Sequence, residues 1–131
     1  MPTQALAQWL AGRAAMLACL LALAGCKQPP PTRYHFEPEL REQGRMVIQR
    51  AGCGACHEIP GIDWPKGRTG PSLAGFDDVG PIAGVLPNTP DNLARFVRDA
   101  PAAKPGSTMP AMPIDAEEAL AVAAYLYGID S

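Results

Sequence analysis

Two cysteines three positions apart with a histidine directly after the second, Cys53-Gly54-Ala55-Cys56-His57, form the strongest chemical signal in the chain. This spacing is the attachment pattern of a c-type haem. Both thiols must reach the vinyl groups on one edge of a porphyrin, and the next residue must bring its imidazole under the iron. Covalent attachment would hold the cofactor outside the cell and give a small chain a large apolar disc to fold around. Three other chemistries use similar residues. A thioredoxin-like CxxC needs a βαβ context, which is not legible here. A zinc site needs further ligands; His35 is the only other histidine, and Cys19 and Cys26 belong to the N-terminal segment. A simple disulfide between Cys53 and Cys56 is the plainest alternative.

An iron ligated by histidine has a sixth position, and a methionine thioether there raises the potential and suits electron transfer. Of five methionines, Met1 and Met16 lie in the N-terminal segment, and Met46 lies on a helix face needed for packing. Met109 and Met112 remain, in Pro105-Gly106-Ser107-Thr108-Met109-Pro110-Ala111-Met112-Pro113. A proline after each methionine holds this strap extended, leaving either side chain able to point inward. The alternative for both is gap-filling core.

Three helices must position these groups. The first is expected over about Pro38–Arg50, with Leu40, Gly44, Val47, Ile48 and Ala51 on one face, Pro38 in the first turn and Gly52 as the stop. A second begins at Thr89-Pro90-Asp91 and presents Leu93, Phe96 and Val97. The third opens at Asp115, with Glu118 completing an acidic capping box, and closes at Gly128. Leu120, Ala123, Ala124 and Tyr127 form one stripe of it, with Val122, Tyr125 and Leu126 alongside. Residues 58–88 are rich in Gly and Pro without strand alternation. So long an irregular stretch fits a small domain only if it wraps a bound group.

Composition points the same way. The chain has 131 residues, enough for a single domain and too few for a multi-domain enzyme, a transmembrane bundle or a Rossmann-type dehydrogenase. It carries 15 prolines and 13 glycines, while Leu, Ile, Val and Phe make up only about a fifth of it. Aliphatic bulk alone leaves the core thin. The net charge of −2 sets the chain apart from charge-rich disordered proteins and from basic nucleic-acid binders.

The first 25 residues read as an address. Arg13 is their one charged side chain, and the apolar run Ala14–Gly25 behind it has the length of a signal-peptide core, short of a membrane span. The run ends in Leu23-Ala24-Gly25-Cys26, which resembles the bacterial lipobox. That resemblance implies a lipid on Cys26 as the first residue of the mature chain. An ordinary secretory signal cut after Ala24 and an uncleaved anchor are the alternatives. The following Lys27–Arg33 stretch, with three consecutive prolines, favours an extended polyproline II strut, or a plain flexible linker. The expected organisation is a signal over 1–25, a lipid-anchored tether over 26–36 and a folded domain over 37–131.

GCGACH, TGPSLAG, PGSTMP and the terminal AAYLYG together resemble the class I c-type cytochromes over about residues 37–129. Within this region LPNTPDNLARFV is similar to the cytochrome c domain carried on subunit II of some bacterial haem–copper oxidases. The resemblance implies an all-α fold whose first and last helices cross, with loops wrapping one haem. Gly44 and Tyr125 match the positions where such helices meet. Pro71 would offer its carbonyl to the other ring nitrogen of the ligand histidine, and Leu73 would pack on the haem. The PGxxMP pattern selects Met109 over Met112 as the second axial ligand. Two departures are evident: Ile59–Arg68, with Trp64 inside it, has no assignment, and the copper-binding and membrane-spanning parts of an oxidase subunit II are not in this sequence.

The resulting expectation is a membrane-tethered monohaem c-type cytochrome on the periplasmic face, binding haem c and iron through Cys53, Cys56, His57 and Met109. It is expected to act as an electron carrier rather than an enzyme, with membership of an oxidoreductase complex left open. Its expected partners are redox proteins, a terminal oxidase or a quinol-oxidising complex, and the membrane through its lipid; nucleic acid is not among them. Alternatives are the haem-bearing subunit of a periplasmic dehydrogenase complex, and a haem enzyme or gas sensor with an open sixth site.

Overall fold

The computed structural model describes residues 34–129, so the signal segment, Cys26 and most of the proposed tether lie outside the described residues. The described residues are all-α: helices α1 (Pro38–Arg50), α2 (Pro90–Arg98), α3 (Ala100–Ala103) and α4 (Ala116–Tyr127), plus 3-10 turns at Cys53–Ala55 and Phe76–Asp78. No strand forms among them, only an isolated antiparallel bridge between Ile82 and Leu86. None of these helices is long and apolar enough to cross a membrane.

Local sequence explains each boundary. Pro38 occupies the start of α1, where a missing N–H costs nothing, and Gly52 ends it with φ of 75°, in the left-handed region that glycine enters freely. Thr89 caps α2, its hydroxyl accepting from the Asn92 amide at 3.3 Å. The capping box of α4 is complete: Glu118 N donates to Asp115 Oδ1 at 2.8 Å, and Asp115 N to Glu118 Oε2 at 3.1 Å.

The centre of the fold is the contact between α1 and α4. Gly44 faces the α4 backbone so closely that a β-carbon there would collide with the Ala121 carbonyl and lie 3.0 Å from Tyr125 Cβ. The pairing expected for Gly44 and Tyr125 is therefore where the two helices cross. Tyr125 then reaches past the crossing to donate from its hydroxyl to the Pro60 carbonyl at 2.7 Å. The Arg41 guanidinium donates to the Gly128 carbonyl at one end of the crossing, and Arg50 pairs with Glu118 at 2.6 Å at the other. The second pair is largely exposed and contributes little.

Three features depart from the sequence pattern. Leu120, placed on the inward stripe of the last helix, is 37 % exposed, whereas Ala119 and Ala121 are fully buried. Ala123, Ala124 and Tyr127 of that stripe are buried as expected, but the buried face extends to Ala119 and Ala121, whose small side chains let α1 approach the α4 backbone. The four-residue α3 was not anticipated, being too short to show a period; the Asp99 carboxylate caps it by accepting from Ala102 N at 3.0 Å. Tyr34 and Phe36, assigned to the tail of the tether, are half-buried against the core. The Tyr34 ring meets the Tyr127 ring edge-on, with centroids 5.0 Å apart.

Asn88 fastens the long loop to α4. Its amide donates to the Phe76 carbonyl at 3.2 Å and the Val79 carbonyl at 2.9 Å, and its Oδ1 accepts from the Tyr127 hydroxyl. Burial pushes the Tyr127 hydroxyl far above its ordinary pKa, with Tyr34 and Asp77 adding to the effect, so this donor keeps its proton.

Candidate functional site

The pentapeptide follows α1 without a linker. After the left-handed turn at Gly52, Cys53–Ala55 wind into a 3-10 turn, and the amides of Cys56 and His57 both donate to the Cys53 carbonyl, at 3.2 and 3.1 Å. No disulfide joins Cys53 to Cys56. Burial pushes the Cys53 thiol up from its usual pKa, keeping it protonated.

A returning segment, residues 67–73, holds this turn in place. Three amides donate to it in succession: Gly67 N to Gly54 O at 2.8 Å, Gly70 N to Cys56 O at 2.8 Å and Leu73 N to Glu58 O at 2.9 Å. Such close approach demands glycines. A β-carbon on Gly67 would lie 2.6 Å from Cys56 N, and one on Gly70 would lie 2.6 Å from His57 Nδ1 and 2.9 Å from Nε2.

His57 is oriented by the same segment. Its Nδ1 lies 2.8 Å from the Pro71 carbonyl. A carbonyl can only accept, so Nδ1 carries a proton, and Nε2 is the ring nitrogen left to bind a metal. This fixes ring direction and tautomer together, as an outer partner does for a ligating histidine.

Cys53, Cys56, His57, Pro71, Leu73 and Met109 all line one cavity of about 410 Å³, a volume within the ~300–1,000 Å³ range of small-molecule and cofactor sites. Its remaining walls are mainly apolar, with Leu93 and Val97 from α2 and Val122 and Leu126 from α4. Met112 also lines it, so both methionines of the proline-straightened strap reach the same space. Met109 packs against the core, and its amide donates to Ser107 Oγ at 3.3 Å; the Met112 amide donates to the Arg98 carbonyl at 2.9 Å. An imidazole nitrogen and a thioether suit iron held in a flat apolar ring, and the two thiols beside them suit covalent attachment of that ring.

The sequence reading missed Gly67 and Gly70 as positioning residues. Their need arises from contact with residues 55–57, which no periodicity announces. It also left Ile59–Arg68 unassigned. Here Ile59 and Ile62 are buried, while the Pro65 carbonyl faces Gly54, where a β-carbon would lie 2.5 Å away. The Trp64–Pro65 peptide is cis, and Trp64 is 85 % exposed. Cys26 lies outside the described residues.

No family model matches the chain. It is 38 % identical over 88 residues, 66 % of its own length, to cytochrome c oxidase subunit 2 of Alkalihalophilus pseudofirmus. It is 34 % identical over 70 residues to the protein of the same name from Bacillus sp. strain PS3, and 31 % identical over 75 residues to that of Bacillus subtilis strain 168. The matched region is 25 %, 19 % and 21 % of these three relatives, so the chain spans a quarter or less of their length. The similarity therefore relates this chain to part of an oxidase subunit 2. It also corrects one expectation. An electron carrier rather than an enzyme is the expectation above, with membership of an oxidoreductase complex left open, whereas these relatives are subunits of an enzyme complex.

Proposed function

We propose that residues 34–129 form a haem c domain that receives single electrons and passes them toward a cytochrome oxidase, working as a component of a respiratory oxidase system. The observation that carries this reading is the meeting of Cys53, Cys56, His57 and Met109 on one apolar cavity, with His57 held by Pro71 so that Nε2 is free. When bound, haem iron supplies a one-electron Fe(III)/Fe(II) couple.

The chain's residues do the rest. The thiols of Cys53 and Cys56 provide the sulfur atoms of two thioether links. The Pro71 carbonyl keeps the His57 proton on Nδ1 and strengthens Nε2 as a donor. Met109 supplies a soft thioether that favours the reduced metal, while Leu73, Leu93 and Val97 exclude water from it. The similarity to oxidase subunit 2 supports an oxidase as the electron acceptor. The Leu23-Ala24-Gly25-Cys26 sequence supports a lipid anchor at Cys26, on the periplasmic face of a bacterial membrane.

Absorption spectra of the matured full-length protein, oxidised and reduced, with a pyridine haemochrome assay, test this directly. One covalent haem per chain and oxidation of the reduced protein by oxidase-containing membranes are expected. A colourless, folded protein overturns the reading. Between the methionines, Met109→Ala is expected to abolish the methionine–iron charge-transfer band and lower the midpoint potential, while Met112→Ala leaves the band in place. The reverse pattern assigns the ligand to Met112.

A further inference from the structure

We propose that Lys104 binds a carboxylate side chain of the cofactor held in the cavity and raises its reduction potential. This rests on the haem reading above. Among the described residues lining the cavity, Lys104 is the one lysine, arginine or carboxylate. It is half-buried, and no ion pair or hydrogen bond of its ammonium is found among the described residues.

Its backbone is pinned. Lys104 N donates to the Ala100 carbonyl at 2.8 Å, closing α3, and its own carbonyl accepts from Ser107 N at 3.0 Å, opening the strap that carries Met109. The side chain thus starts from a fixed point on the wall. An ammonium covered by an apolar disc without a counter-charge is costly. Among the described residues no acidic side chain lines this cavity, so an anionic group on the occupant is the counter-charge available to Lys104 inside it. Haem carries two propionate carboxylates, which supply it.

Redox consequences follow from sign alone. An ammonium beside a carboxylate cancels its charge; without it the carboxylate stays negative near the iron and favours the more positive, oxidised state. Potentiometric titration of the matured full-length holoprotein reads this effect. Lys104→Gln is expected to shift the oxidised-to-reduced ratio at fixed potential at least threefold toward oxidised, a fall of about 28 mV at ~59 mV per tenfold. Lys104→Glu falls further, and Lys104→Arg stays at the wild-type value. A purely structural lysine would lower melting temperature without this order of charges.

Equal potentials in wild type, Lys104→Gln and Lys104→Glu, with the methionine–iron band intact, overturn the proposal. Should Lys104→Glu fail to mature, the Gln and Arg variants carry the same comparison. The haemochrome assay on the wild type separates the two levels: no haem there defeats the underlying reading, whereas haem with unmoved potentials defeats the role of Lys104 alone.

Discussion

His57→Ala is expected to leave almost no stable, haem-loaded protein, as read by haem staining and a pyridine haemochrome assay of the exported fraction. The expectation follows from where His57 sits. Its ring lies against Gly70 and donates to Pro71, so the substitution removes the nitrogen donor and the clasp that the 67–73 segment makes with it. The Pro71 carbonyl is exposed, so it can turn to water and its lost bond costs little by itself. The larger loss is the occupant of a cavity of about 410 Å³ walled by Leu93, Val97, Val122 and Leu126. With so few aliphatic residues elsewhere, the remaining core is unlike that of a self-sufficient domain. Far-UV circular dichroism should show reduced helicity together with the missing haem. Normal haem content and ligation in this variant would refute the assignment of the metal ligand.

The second large effect is predicted at a position that touches no ligand. Gly44→Ala would ordinarily stabilise a helix interior, by up to about 1 kcal/mol. Here the added methyl meets the Ala121 carbonyl, a backbone atom that cannot rotate away, and crowds Tyr125 Cβ. The helices must separate or the fold must give. A net loss of about 3 kcal/mol is expected, at the upper end of ordinary overpacking costs. For a domain of this size each kcal/mol corresponds to about 4–8 °C in melting temperature. Thermal unfolding followed by circular dichroism checks this, and an unchanged or raised melting temperature would show that the crossing is looser than described.

What could be read from sequence divides along physical lines. α1, α2 and α4 were legible because each carries its own start signal: Pro38, the Thr89-Pro90 pair, and the Asp115–Glu118 box. The pentapeptide was legible because covalent chemistry fixes its spacing. Ala123 and Ala124 of α4 were placed on its buried stripe, but Ala119 and Ala121 were not, since a helix face selected for smallness gives no hydrophobic peak. Nor were Gly67 and Gly70, whose constraint comes from residues some ten positions earlier in the chain. Asn88 was likewise invisible: a single amide joining Phe76, Val79 and Tyr127 leaves no pattern in the residues around it.

The helices that cross at Gly44 open and close the described fold, and this orders events during folding. Contacts between α1 and α4 span most of the domain, so they become available only after residues 116–127 have reached the compartment where the chain folds. Until then the thiols at positions 53 and 56 stay open to any machinery that would modify them. The final dozen helical residues act as the latch, and a chain truncated before Ala116 would present its cysteines indefinitely without ever shutting the chamber behind them.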